Sequence, residues 1–148
     1  MKDQGPGKRC FGVGCLSGVS WARISLENGV SIPMICPACQ RALVELTVAG
    51  ITLDVCHGGC GGIWFDAKEL ERLTQSEEDG DGVALNIPVD PTIKVEESLP
   101  RKCPRCDGET TMKQVNVGGD DDGVAIDVCR SCGGTWLDHG ELEWIQAQ

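Results

Sequence analysis

The chain has no tyrosine, two phenylalanines and two histidines in 148 residues. So few large aromatics argue against one ordinary apolar core at this length, and point to some other source of stability. His57 and His139 leave acid–base catalysis with few players. The sequence also lacks a Ser-His-Asp candidate set, an H-E-x-x-H motif and a glycine-rich phosphate loop. No apolar run approaches the ~20 residues needed to span a bilayer. Residues 1–9, MKDQGPGKR, are polar and lead into no signal-type apolar segment. Cations are scarce too: 13 Lys and Arg face 23 Asp and Glu, a formal charge of −10. Such a balance repels nucleic-acid backbones unless the cations cluster. The densest group, Arg101, Lys102 and Arg105, sits beside Glu96, Glu97 and Asp107.

What the chain has instead is cysteine, ten of them, and 20 glycines. A secreted disulfide framework and a set of metal sites are the two readings. Without a signal-type leader the expected setting is cytoplasmic and thiol-reduced, which favours metal. Internal repetition decides the matter. Cys36-Pro37-Ala38-Cys39 is followed by Cys56 and Cys60; Cys103-Pro104-Arg105-Cys106 is followed by Cys129 and Cys132. From Cys60 and Cys132 onward both copies read CGG-x-W-[FL]-D-x-x-E-L. Paired cysteines at this separation are a zinc signature, and structural zinc takes four ligands in a tetrahedron. The expectation is therefore two zinc ions, one held by Cys36, Cys39, Cys56 and Cys60, the other by Cys103, Cys106, Cys129 and Cys132. Each such site adds about −2, bringing the protein to roughly −14. Proline after the first cysteine stiffens the knuckle. Glycine after the last permits positive φ and close backbone approach.

Local patterns fill in the rest of each repeat. Strands are expected over 42–48 and 51–55, turning at Ala49-Gly50, and over 110–117 and 124–128 across a Gly- and Asp-rich tip. Asp66 and Asp138 read as helix N-caps, with Glu69 and Glu141 at capping-box spacing. Leu70 and Leu73, and Leu142 and Ile145, fall on one helix face. Trp64 and Trp136 read as apolar plugs between hairpin and helix, and His139 as a surface-helix residue. Trp144 is expected half-buried, or as an anchor for a protein partner.

Repeat one carries one extra residue in its second knuckle, CHGGC against CRSC. Counting three back from Cys60 lands on His57, and both His57 and Cys56 are competent ligands. The strand register, LDVC against IDVC, favours Cys56. Cys10 and Cys15, in CFGVGC, have a different spacing and read as free thiols, a disulfide, an intermolecular half-site or part of a third site. Around Glu27-Asn28-Gly29 an N-terminal β-hairpin is expected. The organisation is then an N-terminal segment over 1–35, ribbon one over 36–75, an acidic linker over 76–100 and ribbon two over 101–148. The acidic start of the linker reads as mobile, whereas VALNIPV and TIKVE read as segments that pair locally or lie against a ribbon.

Cys103, Cys106, Cys129, Cys132, Gly133, Gly134, Trp136, Leu137, Asp138, Gly140, Glu141 and Leu142 carry a family resemblance. The pattern resembles the small bacterial zinc-finger domains named for transcription factor IIB. Repeat one is similar but has Phe65 for leucine, Ala67-Lys68 before Glu69, and the longer knuckle. The resemblance covers 36–73 and 103–145 and implies a zinc ribbon in each. The fold expected is small, metal-stabilised α+β: two tandem zinc ribbons, each a β-hairpin with two knuckles followed by a short helix, plus the N-terminal hairpin. Closed metal sites, acidic charge and missing catalytic sets predict a non-catalytic protein-interaction module with another protein as partner and no membrane. The alternatives are a nucleic-acid-binding transcription regulator, suggested by the family's name, and a thiol-based redox or chaperone protein using Cys10 and Cys15.

Overall fold

The computed structural model describes residues 32–75, 84–106, 108–119 and 122–148. The expected N-terminal hairpin, Cys10, Cys15 and the acidic start of the linker lie outside the described residues. Each repeat contributes three strands and a helix. The first gives β1 (Val44–Val48), β2 (Ile51–Val55), β3 (Ile63–Phe65) and α1 (Glu69–Gln75). The second gives β4 (Lys113–Val117), β5 (Val124–Val128), β6 (Thr135–Leu137) and α2 (Glu141–Gln146). The first hairpin strands start later than the sequence suggests. Ala42 and Thr111 make only isolated bridges, to Ile35 and Lys102, where the chain leaves each knuckle.

The six strands form one antiparallel sheet in the order β1-β2-β3-β6-β5-β4. The two copies meet at β3 and β6, where Ile63 faces Leu137, Trp64 faces Trp136 and Phe65 faces Thr135. Strand residues alternate between faces, and here both faces are covered. Ile63, Phe65, Leu53 and Val55 join Ile126, Leu137, Leu73 and Leu142 in one apolar cluster on the helix side. Trp64 and Trp136 belong to the other cluster, with Met34, Leu43, Met112 and the knuckle cysteines. The helices therefore lie on one side of the sheet and the cysteine clusters on the other.

The tryptophans are buried core residues, as expected, but they lie on the cysteine side and across the repeat boundary rather than between a hairpin and its helix. A Cβ on Gly62 would run into the Trp136 ring, and one on Gly134 into the Trp64 ring. Each copy thus supplies a bare glycine against which the other's indole lies. A buried aromatic of this size contributes roughly 4–6 kcal/mol of apolar burial. Two of them place roughly 8–12 kcal/mol of gross apolar burial on the seam between the copies, before the conformational entropy that opposes it.

The linker also has a defined place. Leu85 and Ile87 are buried in the helix-side cluster. Gly59 and Val89 form a parallel bridge, in which the Gly58 N–H donates to the Pro88 carbonyl and the Asp90 N–H to the Gly59 carbonyl, both at 2.8 Å. The longer knuckle of repeat one is therefore where the linker attaches. Among the described residues no helix is long and apolar enough to cross a membrane.

Candidate metal centres

In both copies the knuckle backbone folds around sulfur. The Cys39 N–H points at the Cys36 Sγ at 3.4 Å, and the Cys106 N–H at the Cys103 Sγ at 3.3 Å. The second knuckle closes when the Cys56 N–H donates to the Gly62 carbonyl (2.8 Å) and the Cys129 N–H to the Gly134 carbonyl (2.9 Å). That turn requires the left-handed region at the residue after the last cysteine. Gly61 and Gly133 adopt it, with φ of 79° and 75°, where a side chain would be strained.

Two four-sulfur clusters result. Cys36, Cys39, Cys56 and Cys60 form one, and Cys103, Cys106, Cys129 and Cys132 the other; in each, all sulfurs lie within 4.8 Å of one another. His57 is exposed and outside the first cluster. All eight cysteines are free thiols. In the first cluster Sγ–Sγ distances are 3.5 Å (Cys36–Cys60), 3.6 Å (Cys36–Cys39) and 3.4 Å (Cys39–Cys56). In the second they are 3.7 Å (Cys103–Cys132) and 3.9 Å (Cys106–Cys129). A disulfide would need ~2.05 Å. A tetrahedron of sulfurs ~2.3 Å from a central zinc has edges of about 3.8 Å. The clusters therefore fit a tetrahedral, four-thiolate ion.

The electrostatics of the four thiols explain why a cation belongs there. The Cys36 thiol is pushed up by its hydrogen bond to Cys60 and by burial. Cys56 is pushed up to about 12 by burial and by Cys39. Cys60 is brought down to about 5, because the Cys36 thiol donates to its thiolate. In the second cluster burial raises Cys103, and takes Cys106 to about 11. Burial also opposes the Cys129 thiolate, but the Cys132 and Ser131 N–H groups outweigh it and lower its pKa. Protons are shared across each cluster, and the first thiolate suppresses the rest. A dication lets all four ionise together. With four sulfurs on the ion, no position is left for water or substrate.

Asp66 and Asp138 turn out to support the clusters rather than cap the helices as expected. The helices begin three residues later, after Lys68 (φ 71°) and Gly140 (φ 91°). Half of the expected capping box is present, since the Asp66 and Asp138 N–H groups donate to Glu69 (2.8 Å) and Glu141 (2.7 Å). The aspartate side chains accept from indole instead, Trp64 Nε1–H to Asp66 at 3.0 Å and Trp136 Nε1–H to Asp138 at 3.1 Å. A buried indole N–H needs such a partner, and the competition costs the helix its cap. His139 lies in the exposed turn before α2 and rests over Gly61.

The arginines near the second site are used internally, which composition did not reveal. Arg101, only 4% exposed, donates to Asp127 at 3.0 Å and to Asp138 at 2.6 Å. Burial works against the guanidinium, but Asp138 and Asp127 more than offset it and raise its pKa. Burial raises Asp127 despite Arg101. Arg105 reaches across the repeat boundary to Asp66. The only hint in the sequence was the position of both arginines around the Cys103-Pro104 knuckle.

No curated protein and no solved structure matches the chain. The family described as transcription factor zinc-finger matches at residues 35–76 and 102–147. Those two segments contain every cysteine of the two clusters and more than half of the chain. A tetrahedral four-sulfur set suits zinc or iron, and the family resolves that choice as zinc. The chain binds two zinc ions and belongs to the transcription factor zinc-finger family, as two tandem copies joined in one sheet.

Proposed function

We propose that this chain is a non-catalytic protein-interaction module of a thiol-reducing, cytoplasmic setting, in which zinc supplies structure. The observation that carries the reading is the closure of both sites by four cysteines, since a catalytic zinc keeps an open position. Charge supports a protein partner over nucleic acid. The chain has ten more acids than bases, and Arg101 and Arg105 are held in ion pairs. Non-specific nucleic-acid affinity depends on free cations that neutralise phosphates. The transcription-regulator reading remains the competitor because of the family's description.

Two measurements on the zinc-loaded chain test this. Affinity capture from the native cell, with a zinc-stripped control, is expected to yield a protein partner only with zinc in place. Titration with duplex DNA and RNA at ~0.15 M salt is expected to show no saturation. Saturable binding below about 10 μM with a steep salt slope would reverse the choice in favour of nucleic acid.

A further inference from the structure

A second concave feature lies away from both zinc clusters, beside α2. It is a cleft of about 600 Å³. It is lined by His139, Glu141 and Trp144 from the turn and start of α2, and by Glu97, Gln114 and Val124. The Gln114 amide donates to the Glu97 carbonyl at 3.2 Å, tying the Glu97 segment to β4. Trp144 is half-buried, and its ring lies over Gly118, where any Cβ would collide with it. The Cη2 edge of the indole is thus fixed against the β4–β5 turn while the ring also lines the cleft.

Among the described residues that line this cleft there is no lysine or arginine. Arg101, which acts on the Glu141 carboxyl, is already engaged by Asp127 and Asp138. Burial, then Asp138 and Asp127, raise the Glu141 carboxyl to about 7 despite its hydrogen bond from the Asp138 N–H. The surroundings are therefore short of positive charge. Repeat one provides an internal comparison. Counting from the shared aspartate, Gly140 and Trp144 correspond to Lys68 and Arg72, and Gln114 in β4 to Glu45 in β1. The equivalent surface of repeat one therefore carries its own cations where repeat two has an open glycine and an indole.

We propose that this cleft receives a lysine or arginine side chain from a protein partner, held against the Trp144 ring and by the Glu97 and Glu141 carboxylates. A cation over an indole face gains from the ring's quadrupole, and more as water is excluded. The Glu97 and Glu141 carboxyl groups that line the cleft with Trp144 would lend it charge-assisted hydrogen bonds, and the cation would in turn favour the ionised form of Glu141. The inference rests on the protein-interaction reading and specifies the chemistry of the partner at one surface.

The test uses the full, zinc-loaded chain, titrated with an end-blocked Gly/Ser peptide carrying one arginine and one lysine. The same peptide with citrulline and acetyl-lysine is the uncharged control. Amide and indole ¹H–¹⁵N shifts are the readout. Saturable shifts are expected at Glu97–Ser98, Gly123–Ala125 and His139–Trp144, including the Trp144 indole, and not with the uncharged peptide. Trp144→Leu should weaken binding about threefold to fivefold, and Glu97→Gln about twofold to fivefold. Glu97 is exposed, so that variant tests the cleft even if Trp144→Leu disturbs folding. Absence of saturation, equal response to the uncharged peptide, or shifts confined elsewhere would each overturn the proposal. A captured partner that still binds the Glu97→Gln/Trp144→Leu double variant would do so too, while leaving the protein-interaction reading intact.

Discussion

A single methyl group placed at Gly134 tests whether the two copies are held by exchange of tryptophans. Gly134 follows the left-handed Gly133 but is not itself among the positive-φ residues. Alanine there meets no backbone penalty. On backbone grounds alone Gly134→Ala should stabilise the protein by about 0.4–1 kcal/mol, by restricting the unfolded chain. The structure predicts the opposite sign, because the new Cβ runs into the Cζ2 and Cη2 edge of Trp64, a fully buried ring in the other copy. Overpacking a filled site costs ~1–3 kcal/mol, so the net expectation is destabilisation by roughly 1–2 kcal/mol. For a chain of this length that lowers the melting temperature by about 2–8 °C. Gly62→Ala should behave alike through Trp136.

The measurement is thermal and urea unfolding of zinc-loaded protein in a non-thiol reductant. Zinc content should stay at two per chain, since neither glycine supplies a ligand. The decisive comparison is a double-mutant cycle with Trp64→Phe, whose smaller ring makes room for the methyl. The penalty of Gly134→Ala should shrink by ~1 kcal/mol or more in that background. Coupling near zero, or a Gly134→Ala protein as stable as the parent, would refute the exchange. A coupled pair confirms that a residue of ribbon two senses a side chain of ribbon one.

Metal analysis under reducing conditions should give two zinc ions per chain, and complete chelation should abolish circular dichroism structure and amide dispersion; zinc contributes on the order of 10–16 kcal/mol in peptide systems, at or above a typical net stability of ~5–15 kcal/mol. Cys56→Ser should cost one zinc and disorder repeat one, whereas His57→Ala should leave zinc content unchanged; the reverse pattern would remove Cys56 from the site. Arg101→Met, which copies the residue that Met34 supplies in repeat one, should destabilise by about 3–5 kcal/mol by stranding buried carboxylates, and adding Asp127→Asn should recover part of that loss. Glu141 has a raised pKa in the folded state, so its contribution is most favourable below 4.5 and is lost as pH rises through about 7. Glu141→Gln should therefore gain stability relative to the parent across that window, and a difference independent of pH would contradict the assignment.

The hairpins and clusters were legible because their determinants are local. Cys-Pro-x-Cys fixes a knuckle within four residues, and the strand register before Cys56 and Cys129 carries over between copies. Strands β2 and β5 run over Ile51–Val55 and Val124–Val128, as their β-branched, turn-bounded sequences predict. Positive φ at Gly61 and Gly133 follows from glycine after the last cysteine. Strands β3 and β6 were missed for a physical reason. Ile63-Trp64-Phe65 is three residues long and has no alternation to read, because both of its faces are buried. Its strand character comes from pairing with its copy, a contact no local window contains.

The same non-local contact explains why the aspartates were misread. Asp three residues before Glu is a sound helix-cap signal, and half of the box forms. The Asp66 and Asp138 side chains are diverted because each Trp crosses to the other copy and brings its indole N–H into a dry cluster, where an unpaired donor would cost about 1–3 kcal/mol. An aspartate cap is worth only ~1 kcal/mol to a short exposed helix, so the indole wins. Arginine then follows the aspartate: Arg101 secures Asp138 within its own copy, and Arg105 secures Asp66 in the other. Both cations come from repeat two, and repeat one has Met34 and Ala38 in their places. The linker is also asymmetric, since it docks on the extra knuckle residue that only repeat one has. The two copies of one motif thus divide the work. Repeat one carries the linker, repeat two supplies the charges that lock the indoles, and neither set of contacts would be complete in a single ribbon.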